Sequence, residues 1–292
     1  MTRRDWRWAW MLAFLVTLAG HLLATRATAA APVAWKGDYF AAYAKAEQEK
    51  KLLFIYFESA SEPRSRDAFE SETLADSKVQ ELLAPFVCVR VPVEATVTLN
   101  GAESKLLAHP AFAEMLGRPG LAIIDLAHTE APYYGQVVSV LPFSPGLYVS
   151  PFGITTLCYL PPGTLTQRTL TYAVRVHPEA PQSTSGEMLP VLAAEAEAAA
   201  IYQAQINVQG HHNWETRFHR INAQLPAGHL SQEVCAESWP GQMMLESAHE
   251  LVHSWRQSSG HWAAVSGKQP YFGYDMKRGS NGVWYGVGIF GN

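Results

Sequence analysis

The chain predicts an α/β protein in two parts, and three observations carry that reading. In residues 33–142, short continuous apolar runs alternate with segments of helical spacing, the pattern of buried strands and amphipathic helices. A Pro- and Gly-rich interval at 143–187 then interrupts the pattern. Beyond it, an Ala- and Glu-rich segment opens a second part that closes on a Gly- and aromatic-rich hairpin. The 292 residues, 48% hydrophobic and 16% charged, form a globular composition long enough for two cores. A net charge of -4, with no run of Lys and Arg after the first few residues, excludes a non-specific nucleic-acid binder.

Residues 1–30 predict a cleaved signal peptide. Arg3, Arg4 and Arg7 precede an apolar stretch from Trp8 to Leu23, and Ala27-Thr28-Ala29-Ala30-Ala31 supplies small residues for cleavage. Gly20 and His21 break the apolar stretch, which favours cleavage over a membrane anchor, and nothing later is apolar enough to span a bilayer. The expected location is extracytoplasmic: periplasmic, cell-surface or secreted. Cys88, Cys158 and Cys235 are an odd number for an oxidising compartment and are read as structural.

In the first part, Asp38 to Lys50 has helical spacing, with Tyr39, Ala42, Tyr43 and Ala46 on one face. Leu52 to Phe57 reads as a buried strand, Ser65 to about Leu83 as helix, and Phe86 to Val93 as a second strand. A short helix at Pro110 to Leu116 and strands at Gly120 to Leu126 and Val137 to Leu141 complete it. This order resembles the thioredoxin-like fold over residues 33–142. The resemblance places Pro119, in Arg118-Pro119-Gly120, at the family's cis-proline. Where the family carries two cysteines, this chain has Ser61-Glu62-Pro63-Arg64-Ser65, and without a thiolate there is no disulfide exchange. The implied half is a redox-inactive scaffold or binding module.

Residues 143–187 read as an irregular arm and linker with a short helix at Leu165 to Val174. The second part, 188–292, then predicts helices at Leu189 to Val208, Trp214 to Leu225 and Glu246 to Gln257. A hairpin from Tyr271 to Phe290 turns at Asn281-Gly282. Histidines and carboxylates recur beside tryptophans: His211-His212-Asn213-Trp214, Glu233 to Trp239, and Gly260-His261-Trp262. Imidazoles and carboxylates against large apolar rings suit a metal or acid–base cleft.

This half resembles the CAP superfamily of cysteine-rich secretory and pathogenesis-related proteins. Ala236-Glu237-Ser238 stands where the family has Gly-Glu-Asn, and Ala248 to Trp255 is the helix ending in Trp. Ser258-Ser259-Gly260-His261-Trp262 matches its Gly-His-aromatic element, and Gly286 to Gly291 its final strand. The resemblance implies a compact α/β/α sandwich with a cleft built from His211, His212, Glu237, Ser258 and His261. Such a cleft holds an optional divalent cation such as zinc, through His212, Glu237 and His261. Ser258 stands where the family places a second acid, so one carboxylate of the set is missing. The implied protein is an exported binding module, with no required cofactor and no assigned reaction. Its partner would be a ligand, a wall component or another protein.

A second motif competes. His249-Glu250-Leu251-Val252-His253 puts two histidines four residues apart on one helix face with a glutamate between them, the arrangement of zinc-dependent hydrolases and metalloproteases. It lacks a third ligand at the usual spacing, and Asp275 is the remaining candidate.

Overall fold

A computed structural model describes residues 33–99 and 101–292, so the expected signal peptide lies outside the described residues. The protein is α/β. Helix α1 (Tyr39–Glu49) starts where the Asp38 carboxylate accepts the Ala41 amide, and ends at Lys50 in a left-handed conformation. Strand β1 (Leu53–Glu58) follows, then α2 (Pro63–Ala68), which runs on as a wider-turned segment to Leu74, and α3 (Ser77–Leu83), capped by Asp76. Strand β2 (Val87–Pro92) leads to a small hairpin, β3 (Thr96–Leu99) and β4 (Ala102–Lys105), that is not among the expected elements. Pro110–Met115 is a 3-10 turn, and β5 (Gly120–Ile124) and β6 (Val137–Pro142) close the first sheet.

The order in that sheet is β2-β1-β5-β6, with β1 parallel to β2 and the other pairs antiparallel. All described peptide bonds are trans, including the one at Pro119 that the thioredoxin resemblance makes cis. Gly120 beside it has φ +149°, and a Cβ there would sit 2.3 Å from the Leu141 carbonyl oxygen. Only glycine lets β5 and β6 approach so closely.

The interval 143–187 is more regular than its prolines suggest. It holds α4 (Pro151–Cys158) and α5 (Leu165–Arg175) before the two-residue strand β7 (Glu187–Met188). Proline breaks a helix interior but suits its first turn, where the missing amide has no partner to lose. Pro151 occupies that position behind the Ser150 cap, and Pro161-Pro162 fall before α5. A reciprocal Thr164–Gln167 capping box starts α5. Buried Arg168 then donates to Ser139 Oγ at 2.8 Å and to the carbonyls of Pro161 at 2.8 Å and Leu160 at 3.0 Å. It ties the α4–α5 turn to β6.

The second half adds α6 (Pro190–Ile206), α7 (Trp214–Asn222), β8 (Ser231–Glu237), α8 (Met244–Gln257), α9 (Ser259–Ser266), β9 (Tyr271–Arg278) and β10 (Trp284–Gly291). Its sheet runs β7-β9-β10-β8, leaving β8 as an edge. Cys235, Val287 and Ile289 pack against Leu192, Ala196 and Ala200 of α6 and Ile221 of α7. The opposite face, with Val234, Tyr274 and Phe290, packs against Leu251, Val252 and Trp255 of α8. Helices therefore cover both faces. Gly273 is where α6 meets β9, since a Cβ there would lie 2.3 Å from the backbone of Leu192 and Ala193. The halves share one core: a continuous apolar cluster runs from Ile55 and Ile124 through Leu170 and Val174 of α5 to Leu251 and Trp255.

Candidate metal centre

Side chains alternate along a strand, so Ser231, Glu233, Cys235 and Glu237 share the α6-facing side of β8. The loop after α6 lays His211 over this row. Its Nδ1 lies 3.0 Å from Glu233 Oε1 and 3.7 Å from Cys235 Sγ. The three donor atoms lie within 4.8 Å of one another, a group that could hold a metal ion. Tetrahedral zinc sets its sulfur and nitrogen ligands about 3.5 Å apart, so the observed spacing needs little adjustment. Glu233 is buried, with 1% of its side chain exposed, while the His211 ring is 43% exposed. The group thus has a closed side and a side open to solvent.

His261, on α9, brings a second imidazole. Its ring centroid lies 5.8 Å from that of His211. Burial lowers its pKa first, and the neighbouring His211 adds to that, which keeps it a neutral, lone-pair-bearing group at physiological pH. Cys235 is held by the opposite sign of the same effect: burial and then the Glu233 charge push its thiol well up. Gln203 Nε2 donates to Cys235 Sγ at 3.6 Å, and Arg217 Nη2 sits 2.6 Å from Glu233 Oε2. Binding a cation as thiolate and carboxylate would therefore release a proton and loosen Arg217.

The two adjacent histidines go different ways. His211 meets the acid, whereas His212 turns aside, its Nε2 3.1 Å from the Val208 carbonyl and its ring 5.3 Å from Tyr202. Glu237 occupies the exposed end of the same strand face and has no side-chain partner among the described residues. The acid beside the histidine is Glu233, four residues earlier. Ser258 forms the junction of α8 and α9, its amide donating to the Trp255 carbonyl at 3.1 Å and its own carbonyl accepting from Trp262 at 2.8 Å. Glu233 and Cys235 are the members that sequence reasoning missed. The signal available was the period of two, which puts both on the face of Glu237.

The rival motif lies on α8. Glu250 Oε1 accepts a hydrogen bond from Trp239 Nε1 at 3.2 Å, and His253 is exposed. Asp275 cannot complete a site with His249 and His253. It is buried on the α6 side of β9, 3.1 Å from Lys277 Nζ, which also reaches Glu197 at 2.9 Å, whereas α8 covers the other face. Among the described residues, the donors that gather three together are His211, Glu233 and Cys235.

No protein-family profile and no curated protein sequence matches the chain. Among solved structures, an outer surface protein from Borrelia burgdorferi aligns with a TM-score of 0.30 and 20% identity, over 37% of this chain and 77% of that one. No helix among the described residues is long and apolar enough to cross a membrane.

Proposed function

We propose that this is an exported binding protein whose carboxyl-terminal half holds a divalent cation, zinc by donor type, at His211, Glu233 and Cys235, with His261 as the neighbouring imidazole. The observation that carries it is the position of His211 Nδ1, 3.0 Å from a buried carboxylate and 3.7 Å from a buried thiol on adjacent same-face positions of one strand. Nitrogen, oxygen and sulfur donors together suit zinc better than magnesium or calcium. The CAP reading of this half draws support from its helix–sheet–helix layering and from helix α8 ending beside a fully buried Trp255. The thioredoxin-like reading of the first half draws support from the sheet order β2-β1-β5-β6. Ser61 and Ser65 stand in place of redox thiols, so that half serves as scaffold. Export rests on the signal pattern of residues 1–30.

Metal analysis of the purified protein tests the reading. One zinc per chain is expected, retained in Glu237→Gln and Glu250→Gln and lost in Glu233→Gln. Zinc that survives Glu233→Gln but leaves with His249→Ala, together with peptidase activity lost in Glu250→Gln, would replace this reading with the hydrolase.

A further inference from the structure

Back to back with the cation group lies a cavity of about 440 Å³ between α6 and α7. Tyr202, Gln203, His212, Thr216, Arg217 and Arg220 are among its lining residues. Two independent features give it positive character. The first is the start of α7. Asn213 stands at the cap position in a left-handed conformation and makes no side-chain capping bond. The Glu215 and Thr216 amides find no acceptor among the described residues. Unsatisfied amides at a helix start, with the helix dipole behind them, form an anion site. Glu215 itself is exposed and does not line the cavity.

The second feature is Arg217. It is 8% exposed, yet its Nε makes no hydrogen bond among the described residues, with the Glu195 carboxylate 3.8 Å away, and its bonds to the carbonyls of His212 and Glu195 are long, 3.5 and 3.4 Å. Its close contact is with Glu233, at 2.6 Å. A buried guanidinium with an idle donor is costly unless something accepts from it. Arg220 adds a second cation at the rim, paired with Glu195 at 2.7 and 2.9 Å. Charge is balanced as it stands, two arginines against Glu195 and Glu233. A cation that takes Glu233 upsets that balance and leaves Arg217 only Glu195, 3.8 Å from its Nε and already shared with Arg220.

We propose that this cavity binds a tetrahedral oxyanion, a phosphate or sulfate group, and that a divalent cation on Glu233 strengthens that binding by releasing Arg217 toward it. The linkage, though not the cavity, rests on the cation reading above. It is reciprocal, so the anion tightens the metal by the same factor.

Calorimetric titration of the purified protein with sulfate, which stays soluble beside zinc, tests this. One sulfate per chain is expected, bound at least about fivefold more tightly when zinc saturates the cluster. Arg217→Gln abolishes both the binding and its response to zinc. Should that variant melt early, Arg220→Gln at the exposed rim and Thr216→Val carry the test, each weakening sulfate without unfolding the chain. Vesicles of phosphatidic acid against phosphatidylcholine separate a lipid headgroup from a free anion as the source. Binding to neither sulfate nor phosphatidic acid overturns the proposal, as does sulfate affinity unchanged in Arg217→Gln and Arg220→Gln. If zinc itself does not bind, the cation reading and the linkage fall together, and sulfate titration of the metal-free protein alone judges the cavity.

Discussion

At the scale of single residues, the candidate site turns on choices that strand geometry leaves open. Glu233 and Glu237 share a face of β8, and the loop position of His211 decides which of them becomes its partner. Removing a metal-bound carboxylate should cost more than the ~10–100-fold typical of supporting residues. Glu233→Gln is therefore expected to weaken zinc by over about a hundredfold, and Glu237→Gln to leave it within a few-fold, as read by competition with a chromogenic chelator. The residues themselves were legible in the sequence, although Ser231–Glu237 was not expected as a strand and its period of two went unread. The register of a loop against that strand was not legible, because it depends on long-range packing of α6 against β9. A separate residue-level effect concerns His177, its ring 5.1 Å from that of Trp262 and tilted 57° to it, at the end of the arm. Burial, the largest cause, holds its pKa below the ordinary value, partly offset by Glu179. An unfolded chain then binds more protons than the folded one just below pH 6.5. Stability from keeping this ring neutral is full above that pH and is lost as pH falls through it. His177→Gln should flatten that part of the melting-temperature profile, and an unchanged slope would contradict the assignment.

At the scale of elements, amphipathic spacing and turn chemistry foretold most helices and strands, including the closing hairpin at Asn281-Gly282. Helix α4, the β3–β4 hairpin, β7, β8 and α9 escaped. Helix α4 was hidden because prolines were counted as breakers, although Pro151 stands at a helix start where it is favourable. The β3–β4 hairpin escaped although its sequence carries Asn100-Gly101 between the strands, the same turn dipeptide that marks the closing hairpin. Arg168 shows what the arm does once folded. Burial pulls its guanidinium down to about 10, still charged at neutral pH, and its donors hold three carbonyls and Ser139. Arg168→Met should cost about 3 kcal/mol or more, because those buried carbonyls lose their donor. Urea denaturation measures it, and a loss under about 1 kcal/mol would mean water replaces the guanidinium. The α6–β9 contact gives a parallel case: Gly273→Ala forces the helix off the sheet and should destabilise by about 2 kcal/mol.

For the molecule as a whole, composition divides the chain at the Pro- and Gly-rich interval 143–187, and an apolar cluster spans that division. Helix α5 buries Leu170, Ala173 and Val174 in an apolar cluster that includes residues of both sheets. Sequence periodicity reports which face of a helix is apolar, not which two partners share it. A core continuous across the junction predicts a single calorimetric unfolding transition for the purified protein, with calorimetric and van't Hoff enthalpies in agreement. Two resolved transitions would show instead that the halves unfold as separate units.

The central claim is that a strand-borne thiol and carboxylate bind one cation with His211. Cobalt(II) reports on this directly, because a thiolate ligand gives it an intense near-ultraviolet charge-transfer band. Titration of the purified protein should produce that band at one equivalent, and Cys235→Ser should abolish it while Cys88→Ser and Cys158→Ser leave it intact. Absence of the band in the unaltered chain, or its persistence in Cys235→Ser, would contradict the account.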